Sequence, residues 1–139
     1  MDRIRVLLAE DSTAVARQLR ILLATEFDVI ALVDEGLSLL SATRSLKPDV
    51  VVTDISLPGL DGLAAAEQLL AEATVRHVVF ITVHDDPSLV RRAMCNAGCG
   101  YVLKGDAGED LLQAVREVHV GRSFLSASIT ARMAMPGRD

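Results

Sequence analysis

The chain has no tryptophan, one tyrosine and three phenylalanines, so aromatic residues make up only 3% of it. Its core must therefore be aliphatic, built from Leu, Val, Ile and Ala. Cysteine is almost as scarce. Cys95 and Cys99 are the only two, and their spacing suits neither a Cys-x-x-Cys redox pair nor a four-ligand zinc site. They read as two small, partly buried thiols in a reducing compartment. No apolar run approaches the ~20 residues that a membrane span requires. Met1-Asp2-Arg3-Ile4-Arg5 leads directly into a strand-like run. That start lacks the pattern of a signal peptide, so a cytoplasmic location with no membrane partner is expected. An excess of positive charge is missing too, since the formal net charge is −5. The phosphates of nucleic acid and anionic lipid would repel such a domain, which leaves proteins and cations as its partners.

What is present is a length of 139 residues, half of them apolar, enough for one compact domain with its own core. Short apolar runs alternate with longer amphipathic ones. The short runs are Ile4–Ala9, Val29–Val33, Val50–Thr53, Val78–Thr82 and Tyr101–Leu103. They show little polar alternation, as strands do when both faces of a parallel sheet are covered. Between them lie segments with helical spacing. Val15, Leu19, Leu22 and Leu23 share a face after a cap at Ser12 or Thr13. A second helix spans about Gly36–Leu46 and ends before Lys47-Pro48, because proline disfavours helical geometry in the residue before it. A third follows Asp61. A fourth follows Asp86-Pro87 and ends at Asn96-Ala97-Gly98. A fifth follows Gly108 and stops at Gly121.

This is βα repeated about five times, which predicts an open parallel sheet with helices on both faces. After Gly121 no further strand of this rhythm is expected. Leu125, Ile129 and Met133 hint at one more short helix, and Pro136-Gly137-Arg138-Asp139 reads as a frayed end.

In an open α/β sheet, ligands bind beyond the carboxyl ends of the strands. The first run ends in Glu10-Asp11, the third in Asp54, the fourth in Thr82 and the fifth in Lys104. The second, ending near Asp34-Glu35-Gly36, adds nothing distinctive. Acids are common at helix starts, so any one of these positions alone reads as a cap or turn. Four strand ends carrying such groups together point to a site. Two unit negative charges ~4 Å apart repel by ~4 kcal/mol at an effective dielectric near 20, so three clustered carboxylates need a cation, or some must take up protons. Oxygen-only ligands favour Mg²⁺, with Mn²⁺ as the alternative ion. His77, His84 and His119 are scattered along the chain and form no zinc set, although His84 lies near Thr82. Asp54, beside the cation and Lys104, is placed as a carboxylate nucleophile that forms an aspartyl phosphate.

The stretches Val6-Leu7-Leu8-Ala9-Glu10-Asp11-Ser12, Pro48 through Gly62, Val79-Phe80-Ile81-Thr82 and Ala97 through Lys104 carry a resemblance to a known family. Together they resemble the receiver domain of two-component response regulators, of the LuxR/FixJ (NarL-like) type, over about residues 3–122. The resemblance implies a flavodoxin-like, doubly wound, five-stranded sheet in the order 2-1-3-4-5. It implies Asp54 as phosphoacceptor, and Mg²⁺ held by Glu10, Asp11, Asp54 and the backbone carbonyl of Ser56. Thr82 and Lys104 would bind the phosphoryl group, and Thr82 with Tyr101, turning in from solvent, would form the switch.

It further implies a sensor histidine kinase as donor, a homodimer as one partner arrangement, and DNA contact only through an output domain beyond this chain. Residues 1–122 would form the receiver and 123–139 a tail or the start of a linker. A fragment of a longer regulator is favoured over a free-standing receiver. Two departures stand out: Glu10-Asp11 replaces the commoner Asp-Asp pair, and Gly105 follows Lys104 where many members have proline.

A phosphatase of the haloacid dehalogenase type would need a second acid two residues after Asp54, where Ser56 stands. A dinucleotide site would need a glycine-rich loop where Glu10 and Asp11 stand. A receiver-like module that binds without phosphorylation is the serious alternative, and retention of all five site residues argues against it.

Overall fold

The computed structural model describes residues 3–96 and 98–134. The order of elements is β1 (Arg5–Ala9), α1 (Thr13–Ala24), β2 (Asp28–Val33), α2 (Gly36–Leu46), β3 (Val50–Thr53), α3 (Gly62–Ala71), β4 (Val78–Thr82), α4 (Pro87–Ala93), β5 (Cys99–Leu103), α5 (Ala107–His119), β6 (Phe124–Leu125) and α6 (Ala127–Ala134). The strands form one parallel sheet in the order β2-β1-β3-β4-β5-β6. Its first five members follow the expected 2-1-3-4-5 order, and the architecture is flavodoxin-like.

Alternate residues of a strand point to opposite faces, so a strand buried on both sides supplies two cores. Val6 and Leu8 of β1 join Val50, Val52, Val79, Ile81 and Val102 beneath α1 and α5. Leu7 and Ala9 join Val51, Val78, Phe80 and Tyr101 beneath the helices of the other face. With three phenylalanines and one tyrosine to spend, both cores are mostly aliphatic.

Local chemistry sets the helix starts. Ser12 accepts from the Val15 amide at 3.4 Å and Asp61 from the Ala64 amide at 2.7 Å, satisfying first-turn donors that lack partners within the helix. Pro87 opens α4, where its missing N–H costs nothing.

Besides shifts of one or two residues at the starts of β1, β2 and α5, three boundaries differ from the sequence reading. First, β6 extends the sheet after Gly121, where no strand was expected. Two residues are too few to show alternation, and the β5 edge holds them: Tyr101 pairs with Leu125, and the Ser126 amide donates to the Tyr101 carbonyl at 2.9 Å. Leu125 therefore lies in this strand rather than in α6, while Ile129 is buried on α6; the side chain of Met133 lies outside the described residues. Second, α4 stops at Ala93, short of the expected Asn96-Ala97-Gly98 end; Gly98 does adopt a left-handed φ of 81°, and Ala97 lies outside the described residues. Third, β5 begins at Cys99 rather than Tyr101, since Cys99 and Gly100 pair with Val78 and Val79.

Candidate functional site

The register of the sheet assembles the site. Ala9 of β1 lies beside Thr53 of β3, so Glu10 and Asp54 leave adjacent strands side by side. The Asp54 amide donates to the Ala9 carbonyl at 3.0 Å and the Glu10 amide to the Val33 carbonyl at 3.0 Å, which fixes both backbones. Thr82 of β4 lies beside Leu103 of β5, which brings Lys104 to the same edge. Gly62 closes the floor. A methyl group there would lie 1.8 Å from the Asp54 carbonyl oxygen, so only glycine fits.

Glu10 and Asp54 are buried, whereas Asp11 faces solvent. The Lys104 ammonium bridges the two buried acids, 2.8 Å from Glu10 Oε1 and 2.7 Å from Asp54 Oδ2. Burial alone would pull the Lys104 pKa down. Its hydrogen bonds to Asp54 and Glu10 outweigh that and hold it above the ordinary lysine value. The other oxygens are also engaged: the Ser56 amide donates to Asp54 Oδ1 at 3.1 Å and the Ser12 amide to Glu10 Oε2 at 3.0 Å.

Glu10, Asp11 and Asp54 each offer a carboxylate oxygen, all within 4.8 Å of one another, the one group of three such ligands among the described residues. Three carboxylates against one ammonium leave two negative charges, which a divalent cation matches. The donor set is all oxygen, and it suits a hard ion such as Mg²⁺ or Mn²⁺ rather than zinc. The residues present therefore fit the expected metal.

A family profile described as the response regulator receiver domain matches residues 6–116. The chain belongs to the response-regulator receiver family. It is 34% identical over 134 residues to the response regulator GacA of Pseudomonas aeruginosa, covering 95% of this chain and 63% of GacA. It is 34% identical over 132 residues to an uncharacterized transcriptional regulatory protein, YvfU, of Bacillus subtilis, covering 94% of this chain and 66% of that protein. The chain thus spans a little under two thirds of these relatives. Among solved structures, a LuxR-family response regulator from an Aurantimonas species superposes with a TM-score of 0.87 at 25% identity, over 96% of each chain. The signal receiver domain of NarL from Mycobacterium tuberculosis superposes with a TM-score of 0.81 at 25% identity, over 88% of this chain and all of that one.

In this receiver, Thr82 is fully buried and its Oγ1 accepts from the His84 amide at 3.2 Å. Tyr101 is also fully buried, rather than starting from solvent as the sequence reading supposed, and its hydroxyl donates to the His84 carbonyl at 2.7 Å. Burial, followed by the nearby Asp86, Asp85 and Asp54 charges, pushes the Tyr101 pKa up to about 12. Lys104–Asp106 forms a single 3₁₀ turn, and no cis peptide bond occurs among the described residues.

Two sets of contacts escaped the sequence reading, which placed His84 near Thr82 without giving it a partner. His84 touches three site residues, Thr82 and Tyr101 through its backbone and Ser56 through its ring, with Nε2 3.2 Å from Ser56 Oγ. Its position two residues past Thr82 was the one available signal. His77 and His119 are far apart in sequence, yet their rings meet edge to face with centroids 6.1 Å apart. They lie at the amino-terminal ends of the strands, away from the acidic site.

Proposed function

We propose that this receiver accepts a phosphoryl group on Asp54 from the phosphohistidine of a sensor histidine kinase, in a Mg²⁺-dependent step, and passes the change to a protein-interaction surface through Thr82 and Tyr101. The observation that carries this reading is the Asp54 carboxylate at the end of β3, 2.7 Å from the Lys104 ammonium and grouped with Glu10 and Asp11.

A carboxylate oxygen of Asp54 attacks phosphorus. An acyl phosphate bond forms, the phosphorus–nitrogen bond of the donor breaks, and the leaving imidazole takes up a proton. Glu10, Asp11, Asp54 and the carbonyl of Ser56 would hold Mg²⁺ or Mn²⁺, and a hard divalent ion offsets charge on the transferring group when bound. Lys104 offers a second positive charge to a phosphoryl oxygen, and Thr82 a hydroxyl hydrogen bond. Phosphorylation adds about −1.5 to −2 charge. The Thr82 hydroxyl then leaves the His84 amide for the phosphoryl group, which biases the packing of Tyr101 and of the surface formed by α4, β5 and α5. Attack of water on phosphorus releases inorganic phosphate and restores Asp54.

In this reading residues 1–122 form the phosphoacceptor domain, and 123–139 lead toward an output domain that contacts DNA, in the cytoplasm. That extension draws support from relatives described as transcriptional regulatory proteins and from a solved structure of RcsB dimers on DNA; a homodimer belongs to the same proposal. Among the described residues no helix is long and apolar enough to cross a membrane.

Incubation with acetyl phosphate and Mg²⁺, read by intact mass, tests the reading. One added phosphoryl group is expected, and none in EDTA. Labelling in EDTA would contradict the metal requirement. Absence of labelling under every condition would favour a binding module that works without phosphorylation.

A further inference from the structure

The strand and helix that follow α5 cannot hold themselves together. Isolated helices shorter than ~12–15 residues are marginal in water, and isolated pairs of short strands are little better. α6 has 8 residues and β6 has 2. Their order comes from what they rest on, and much of that is Tyr101 and its neighbours. The Tyr101 carbonyl accepts from the Ser126 amide at 2.9 Å, and the Leu103 amide donates to Ser126 Oγ at 3.0 Å. Ser126 is fully buried, and its carbonyl accepts from both the amide (2.9 Å) and the hydroxyl (3.1 Å) of Thr130, which starts the helix. Ile129, 1% exposed, belongs to the same core as Tyr101, Val90 and Ala93. At its far end, the Tyr101 hydroxyl is tied to the His84 carbonyl, and the His84 amide is tied to Thr82.

We propose that the seating of β6 and α6 on the sheet edge is coupled to the position of the Tyr101 ring, so that this segment is the element that reads Tyr101 out toward the C-terminus. The ring and Ile129 help fill one core, and Ser126 fastens the segment to the backbone on either side of Val102. When the Tyr101 hydroxyl leaves the His84 carbonyl and the ring shifts, Ile129 loses part of its packing. An eight-residue helix with one fully buried apolar anchor among its described side chains has little else to keep it in place. The coupling is reciprocal by thermodynamic necessity, so loosening α6 must also loosen Tyr101. The link from Tyr101 to α6 stands on these contacts alone; the link from Asp54 to Tyr101 rests on the function proposed above.

The test uses the whole chain and two readouts. Tyr101 is the only tyrosine and no tryptophan is present, so tyrosine fluorescence quenched by acrylamide reports this one ring. Ile129→Ala is expected to expose Tyr101 to quencher, and to raise hydrogen exchange of the Ser126 and Thr130 amides roughly 30-fold, as truncation of a buried isoleucine does to a local opening equilibrium. Exchange in β1 and β3 and uptake of phosphate from acetyl phosphate should stay at wild-type level, and Ile129→Val should restore both readouts. Tyr101→Ala should raise exchange at the same two amides. Unchanged quenching in Ile129→Ala, or unchanged exchange in Tyr101→Ala, overturns the coupling. Addition of acetyl phosphate and Mg²⁺ to the wild type should change exchange in residues 124–131. If the variants behave as expected and this last change is missing, the coupling stands and Tyr101 is not the switch of the acidic site.

Discussion

Replacing Lys104 by methionine keeps most of the side-chain volume and removes one positive charge from between two buried acids. The side chains of Glu10 and Asp54 are 1% and 8% exposed, and that of Lys104 is 20% exposed. At the 4.8 Å limit of their ligand-atom separation, two carboxylates repel by ~3.5 kcal/mol at an effective dielectric near 20. Breaking a buried ion pair by removing one partner costs about 3–5 kcal/mol by a separate route. Because Lys104 is partly solvated, the lower end applies, about 3 kcal/mol of the 5–15 that hold a domain of this kind together. The loss should be largest without a divalent ion. The variant site carries three negative charges and no ammonium competing for the same oxygens, so Mg²⁺ should stabilise the variant more than the wild type. Urea titrations at neutral pH, in EDTA and in excess Mg²⁺, measure both quantities. A loss below ~1 kcal/mol in EDTA, or a Mg²⁺ gain no larger than that of the wild type, would refute the charge account of the site.

Three further outcomes follow from particular contacts. Gly62→Ala puts a methyl group 1.8 Å from the Asp54 carbonyl; backbone must move, at a cost above ~3 kcal/mol with slower phosphorylation, whereas Gly105→Ala faces open space and should stay within ~0.5 kcal/mol in thermal melts. Thr82→Ala removes the hydroxyl that accepts from His84; it should still take up phosphate yet fail to change the exchange pattern near Tyr101, and a wild-type response would exclude Thr82 from transmission. Tyr101 ionises near pH 12 in the fold against ~10 in the unfolded chain, so its contribution is fully present below pH ~10 and about 2–3 kcal/mol is lost as pH rises toward 12. Tyr101→Phe should flatten that part of the stability profile, and an unchanged slope between pH ~10 and 12 would assign the loss to other groups.

The alternation of strands and helices was legible because parallel strands buried on both faces read as continuous apolar runs, and β3 and β4 were bounded to the residue. The carboxyl-edge rule then found Glu10, Asp54, Thr82 and Lys104 without any relative, since Thr82 ends its strand and the other three follow theirs directly. What the sequence hid were short or spatial features. β6 has too few residues to show a period, and α4 ends before its next turn signal. The buried state of Tyr101 depends on a carbonyl of the loop after β4, which no local pattern encodes. The same holds for the His77–His119 contact, made by the residue before β4 and the last residue of α5, which only the fold brings together. Gly62 read as part of a motif; its necessity appears only when a methyl group is placed against the Asp54 carbonyl.

The central claim is that Asp54 alone receives the phosphoryl group. Reduction of the acetyl phosphate-treated protein with borohydride converts an aspartyl phosphate to homoserine, and peptide sequencing then locates it. Homoserine is expected at position 54 and nowhere else, with none after treatment in EDTA or in Asp54→Asn. Homoserine at another acid, or phosphate retained by Asp54→Asn, would contradict the account.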